Sequence, residues 1–192
     1  MSKVISDTKI CLAALLILAI LIGGNFFIKG FSSPINFNNA VGKAAPEFSL
    51  EDINAKTIKL SDLRGKNVIL FFNEGAMCYP SCWNQMLELA KDSRLNNEKT
   101  ASFSIVIDTK EEWERITKQM PEFSQTKILF DTTKKVSTDY GVLTLPSSMH
   151  VGSMHGHSYV IIDKNGILRY VFDDPNMGIR NDMLSAEVTK LI

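Results

Sequence analysis

The chain has 192 residues, 45% hydrophobic and 22% charged, which is apolar material for one globular domain of ordinary size plus an appendage. Twenty-one Lys and Arg balance twenty-one Asp and Glu, and no basic cluster or aromatic-basic stripe appears, so nothing suggests a phosphate backbone as a partner and no nucleic acid is expected.

In chain order, residues 1–9 precede an uncharged stretch from Ile10 to Ile28 that approaches the ~20 residues a membrane-spanning helix requires. Lys3 and Lys9 lie before it, opposed only by Asp7, and after Lys29 nothing basic follows until Lys43. This places the N-terminus in the cytoplasm and everything beyond the anchor outside it, in the cell membrane as a single-pass protein. A cleaved signal peptide with Leu12 to Ile22 as its apolar core is the rival, although no small-x-small site follows that core. Cys11, at the edge of the anchor, counts as a small apolar residue. Residues 29–40 contain GFSSPINFNN, rich in Gly, Ser, Pro and Asn and without period, and read as a tether to a domain over 41–192.

Within that domain, apolar runs alternate with helical patterns. Strands are expected at Thr57 to Leu60, Val68 to Phe72, Ser102 to Asp108 and Lys127 to Phe130, and a hairpin from Ser158 to Asp163 and Ile167 to Phe172 around Lys164-Asn165-Gly166. Helices are expected over Pro80 to Arg94, with Trp83, Met86, Leu87 and Ala90 on one face, and over Glu111 to Met120, Thr133 to Tyr140 and Ile179 to Leu191. The order predicts an α/β fold, a mixed central sheet flanked by helices with an antiparallel edge.

Cys78 and Cys82, in MCYPSC directly after the buried strand, are the candidate catalytic pair. Proline suits the first helical position and pushes its predecessor out of helical space, so Pro80 sets the helix start near Tyr79. Cys78 then lies outside the first turn, facing unpaired backbone N–H groups that favour a thiolate, and Cys82 enters the helix. Cys78 is therefore assigned as attacking thiol and Cys82 as resolving thiol. Inside a regular helix the pair would stand too far apart for a disulfide, but an extended or turn conformation at Cys78 closes the gap. A plain stabilising disulfide is the alternative, though a loop of three residues gains little closure entropy.

All three histidines, His150, His155 and His157, fall within SSMHVGSMHGHS with Met149 and Met154, donor types that suit a soft metal; a loop with solvated histidines is the other possibility. His157 could equally serve a cysteine as general base. Glu74 reads as a solvated carboxylate near Cys78, Trp83 and Trp113 as core or rim, and Met86 as core.

The stretch GKAAPEFSLEDINAKTIKLSDLRGKNVILFFNEGAMCYPSC, with Pro46, Phe48, Leu50, Leu60, Leu63, Gly65, Lys66 and Phe71, resembles the opening of the redoxins, which include the alkyl hydroperoxide reductase/thiol-specific antioxidant (AhpC/TSA) proteins; YGVLTLP and SYVIIDKNGILRYVF resemble their closing strands. The resemblance implies a thioredoxin-like fold after one transmembrane helix, and a membrane-anchored, extracytoplasmic thiol-disulfide oxidoreductase that works on a protein thiol or disulfide partner without a required cofactor. It also implies that Pro146 is the cis-proline facing the cysteines. The three residues between Cys78 and Cys82 are similar instead to the CxxxC of Sco-type copper chaperones, which implies copper held by Cys78, Cys82 and His157 for delivery to a membrane oxidase. A peroxiredoxin-like antioxidant peroxidase is a further alternative, although the Pro-x-x-x-Thr-x-x-Cys loop is absent and His157 stands roughly where an arginine would be.

Overall fold

Asn67 to Phe72 is an unbroken run of buried side chains, as a strand covered on both faces requires, and the rest of the domain is organised around it. The computed structural model describes residues 34–191. Cys11 and the anchor expected over Ile10 to Ile28 lie outside the described residues, among which no helix is long and apolar enough to cross a membrane.

The elements are β1 (Ser49–Asp52), β2 (Thr57–Lys59), β3 (Asn67–Phe72), α1 (Ser81–Lys91), β4 (Thr100–Val106), α2 (Lys110–Gln119), β5 (Ile128–Phe130), α3 (Lys135–Asp139), β6 (Ser158–Ile162), β7 (Leu168–Asp173) and α4 (Asn181–Thr189). The strands form one mixed sheet in the order β2-β1-β5-β4-β3-β6-β7. β3, β4 and β5 run parallel, while β6 is antiparallel to β3, β7 to β6, β1 to β5 and β2 to β1. Strand alternation divides the core. Ile69, Phe71, Tyr159 and Ile161 face α1, α2 and α4 through Met86, Leu89, Trp113, Leu184 and Val188. Leu70, Phe72, Val160 and Ile162 face the other way, against Phe37, Val136 and Tyr140.

Three sequence expectations differ from the structure, and one strand, β1, was not expected at all. Residues 34–40, expected as part of a tether, are packed: Phe37 and Ala40 are buried and Ile35 N–H donates to the Asp139 carbonyl at 2.8 Å. β1 had no alternating signal, because Leu50 is its one buried side chain. α1 begins at Ser81 with Pro80 as its cap and stops at Lys91, where Asp92 turns extended and accepts from the backbone N–H of Arg94. α3 is shorter than expected because Lys134 is left-handed, and the Asp131 carboxylate takes the amides of Val136 and Ser137.

Candidate active site: a dithiol loop facing a buried histidine

The loop after β3 is fixed by side chains from three elements. Asn73 Oδ1 accepts from Gly75 N–H at 2.9 Å, and the Trp83 indole donates to the Gly75 carbonyl at 3.1 Å. Asp108, just beyond β4, accepts from Ala76 N–H at 3.0 Å and from the Trp113 indole at 2.8 Å. Burial pushes the Asp108 carboxyl above the usual range, and these two hydrogen bonds pull it back only in part. Gly75 has φ +61°, and a Cβ there would stand 1.7 Å from Asp108 Oδ2. Gly75→Ala is therefore expected to lower stability by at least about 2 kcal/mol, adding the left-handed penalty to loss of the Asp108 clamp, and to slow thiol exchange. Denaturant unfolding of the variant measures the first effect; an unchanged midpoint would show that the clamp carries no weight.

Cys78 ends a single 3-10 turn, Gly75–Met77, at φ −92° and ψ 49°, outside α1, whose first residues follow the cis Tyr79–Pro80 bond. Leu145–Pro146 is not among the cis peptides of the described residues, so the expectation of a cis-proline at Pro146 is not met; the cis bond, Tyr79–Pro80, lies between the two cysteines themselves. Cys82 N–H donates to the Cys78 carbonyl at 3.0 Å, the Cα atoms are 5.3 Å apart, and the two sulfurs are joined as a disulfide. Cys78 retains 4% of its surface and Cys82 none. Met77 and Tyr79 on either side of Cys78 are exposed.

His157 arrives from the other side of β3. Antiparallel pairing sets Ser158 opposite Phe72, so the residue before β6 comes to the sheet end from which the cysteine loop leaves. Its Nδ1 is 3.6 Å from Cys82 Sγ and its Nε2 is 2.8 Å from the Tyr159 hydroxyl, with the ring edge-on to Phe71. Its backbone is held at both ends: the N–H donates to Ser147 Oγ at 2.8 Å, and the carbonyl accepts from Asp174 N–H at 2.9 Å. Ser147 is itself anchored on the Asp173 carboxylate, and Arg180 holds Asp174 with two bonds of 2.6 and 2.8 Å. Burial pushes His157 down to about 4, Asp174 opposing the shift, so the ring is neutral at neutral pH. Burial likewise raises the Tyr159 phenol. The potential ligand atoms of Cys78, Cys82 and His157 all lie within 4.8 Å of one another.

The other two histidines do not join this group. His155 is fully buried on the opposite sheet face with its ring against Phe72, its two ring nitrogens complete no hydrogen bond, and burial pushes it down to about 3. His150 is half-exposed, with Nδ1 3.5 Å from Glu74 Oε1. Solvated histidines are thus the wrong description for His155 and His157. Glu74 is also not solvated: it is buried, and its Oε1 accepts from Met149 N–H at 2.7 Å and from Ser148 Oγ at 3.2 Å. It fastens the segment after Pro146 onto the cysteine loop. Sequence reasoning missed Glu74, Asp108, Ser147 and Tyr159 as supports; for Tyr159, its position two residues after His157 on one strand face was the available signal.

Solved structures with this architecture include the reduced 2-Cys peroxiredoxin of Plasmodium vivax, with a TM-score of 0.63 and 24% identity over 77% of this chain and 79% of that one. A peroxiredoxin-like protein from Aquifex aeolicus gives a TM-score of 0.65 and 18% identity over 79% and 87%. The fold is therefore thioredoxin-like, an α/β arrangement with a mixed sheet and flanking helices. The model of the AhpC/TSA family matches residues 41–171, and the chain belongs to that family. Among curated relatives, Peroxiredoxin Bcp of Escherichia coli strain K12 is 28% identical over 146 residues, 74% of this chain and 91% of that protein. Chloroplastic Peroxiredoxin Q of Suaeda salsa is 29% identical over 147 residues, 76% of this chain; the chain spans 65% of that relative's length.

Proposed function

We propose that the protein is a thiol-dependent oxidoreductase in which Cys78 attacks and Cys82 resolves. The observation that carries this reading is a disulfide across the strand-to-helix junction with a neutral imidazole 3.6 Å from the inner sulfur. In the reduced enzyme the Cys78 thiolate attacks one sulfur of a partner's disulfide and expels the other as a thiolate, leaving a mixed disulfide. Cys82 then passes its proton towards His157 Nδ1 and attacks Cys78 Sγ, expelling the partner's second thiolate. Two electrons move to the partner, and a reductant thiol outside the chain restores the dithiol. In the same reading residues 10–28 anchor the protein in the cell membrane with the domain outside the cytoplasm, where a disulfide persists.

Two readings compete at the same residues. The peroxiredoxin names of the relatives favour a peroxide as oxidant of Cys78. The donor set of two thiols and one imidazole within 4.8 Å favours a copper(I) chaperone once the disulfide is reduced. One experiment separates them: the reduced full chain is challenged in turn with a model disulfide, hydrogen peroxide and copper(I), followed by alkylation and intact-mass measurement. The proposal expects rapid Cys78–Cys82 closure with the disulfide. Closure with peroxide alone points to the peroxidase, and one bound copper that His157→Ala abolishes points to the chaperone.

A further inference from the structure

His157 makes two ring contacts, and the atoms at their far ends fix where its proton sits. Burial holds the ring down to about 4, so at neutral pH it carries a single N–H. Nδ1 stands 3.6 Å from Cys82 Sγ, and a disulfide sulfur has no hydrogen to give. With the bond to Cys78 closed, this contact is a hydrogen bond only if the N–H lies on Nδ1 and donates to Sγ. Nε2 is then bare and can only accept. The group 2.8 Å from it is the Tyr159 hydroxyl, which makes no other hydrogen bond among the described residues and so donates here.

Reduction reverses the demand. Cys82 has no exposed surface, and apolar burial keeps its thiol protonated, so an S–H faces Nδ1. Nδ1 becomes the acceptor and the ring proton moves to Nε2, where the same hydroxyl oxygen accepts it. A carboxylate or carbonyl in place of Tyr159 could only accept, and would hold the ring in that second form. A hydroxyl serves both. Packing keeps it in place: Tyr159 is fully buried, paired across the sheet with Phe71 on one side and Phe172 on the other, its ring stacked on theirs at 4.8 and 6.3 Å between centres.

We infer that Tyr159 is a positioning residue for the resolving step: its hydroxyl accepts from His157 in the dithiol and donates to it in the disulfide, so the imidazole reverses its tautomer as the cysteines change state. This rests on the oxidoreductase reading and adds to it the residue through which His157 can act in both directions. In resolution the Cys82 proton passes to Nδ1 as Cys82 Sγ bonds to Cys78 Sγ. The bond from Cys78 to the partner breaks, and the partner's sulfur leaves with the electron pair. Nε2 gives up its proton, which ends on that departing thiolate, and turns from donor to acceptor towards Tyr159.

The test is nitrogen NMR of the full chain carrying 15N-labelled histidine, oxidised and then reduced with dithiothreitol, with His157 assigned by the loss of its signals in His157→Gln. The imidazole couplings are expected to show the Nδ1–H form in the disulfide and the Nε2–H form in the dithiol; the same form in both states would overturn the inference. Tyr159→Phe, which keeps the stack with Phe71 and Phe172, is expected to slow release of a trapped peptide adduct about tenfold, the scale of one lost buried hydrogen bond, while attack by Cys78 stays within about twofold of wild type. Release at the wild-type rate in the folded variant, or attack and release slowed alike, would overturn it too. Wild-type protein that forms no adduct at all would instead overturn the oxidoreductase reading, and this role with it.

Discussion

Cys78→Ser is expected to lower the rate of thiol–disulfide exchange by more than about a thousandfold, the scale on which removal of a covalent nucleophile acts, whereas Cys82→Ser should still complete the first half of the reaction and accumulate a mixed disulfide. The asymmetry follows from position. Cys78 precedes α1 with the last exposed edge of the pair, and Cys82 is sealed beneath it beside His157. Serine at 82 leaves the attacking sulfur in place and deletes only the group that releases it. His157→Gln is expected to slow release by roughly 100-fold or more while leaving attack nearly unchanged, because Nδ1 faces the inner sulfur. Trapping with a cysteine-containing peptide and counting adducts by mass distinguishes the three variants. A stable adduct on Cys82 in Cys78→Ser, with none on Cys78 in Cys82→Ser, would reverse the assignment.

The second large effect is on acid stability. His155 is held down to about 3 and His157 to about 4, in both cases chiefly by burial, against an ordinary value of 6.5. The unfolded chain takes up protons near pH 6.5 that the folded chain refuses. The contribution of these neutral rings is therefore fully present above pH 6.5 and is lost as pH falls from there towards the folded values. The slope approaches about 1.4 kcal/mol per pH unit for each group only well below pH 6.5, so the fall from pH 6.5 to 4.5 removes roughly 2 kcal/mol per histidine. Asp92, Asp163 and Asp174, all held below the usual value, lose their contribution only at lower pH, and Asp108, raised by burial, works weakly in the opposite direction. Urea unfolding of the oxidised protein at pH 7.5, 6.0 and 4.5 measures the slope. His155→Leu, which keeps an apolar side chain against Phe72, should remove about half of it. An identical slope in that variant would show that His155 does not stay neutral.

The architecture was legible where burial writes itself into the sequence as a run or a period. Asn67–Phe72 and Ser158–Ile162 are buried throughout, and both stand within a residue of the expected strands. The Gly166 turn carries φ +81°, the conformation its hairpin position demands. β1 escaped notice because an edge-side strand with one buried side chain has no pattern to find. The packing of residues 34–40 escaped because their anchor points, Phe37, Ala40 and a backbone bond to Asp139, are tertiary and leave no local period.

At the site, the cysteine pair could be read from two residues and a proline, since a strand end, a helix start and a spacing of four are local properties. His157 could be named only through family resemblance, because its approach to Cys82 depends on the register of β6 against β3. The supporting carboxylates were invisible for the same reason. Asp108 reaches Ala76 across 32 residues, and Glu74 reaches Met149 across 75, and neither span leaves a trace in composition. The histidine cluster also misled as a cluster: only two positions apart in sequence, His155 and His157 point to opposite faces of the sheet.

The most direct measurement is a redox titration of the folded full chain in dithiothreitol or glutathione buffers, with the Cys78–Cys82 state read by alkylation and mass. A pair that exchanges electrons with protein partners is expected to show one reversible two-electron transition between about −270 and −120 mV, where thioredoxin- and DsbA-type couples operate. A disulfide that stays closed below about −300 mV until the protein unfolds would be a structural staple, and would contradict the assignment of Cys78 and Cys82 as the working centre.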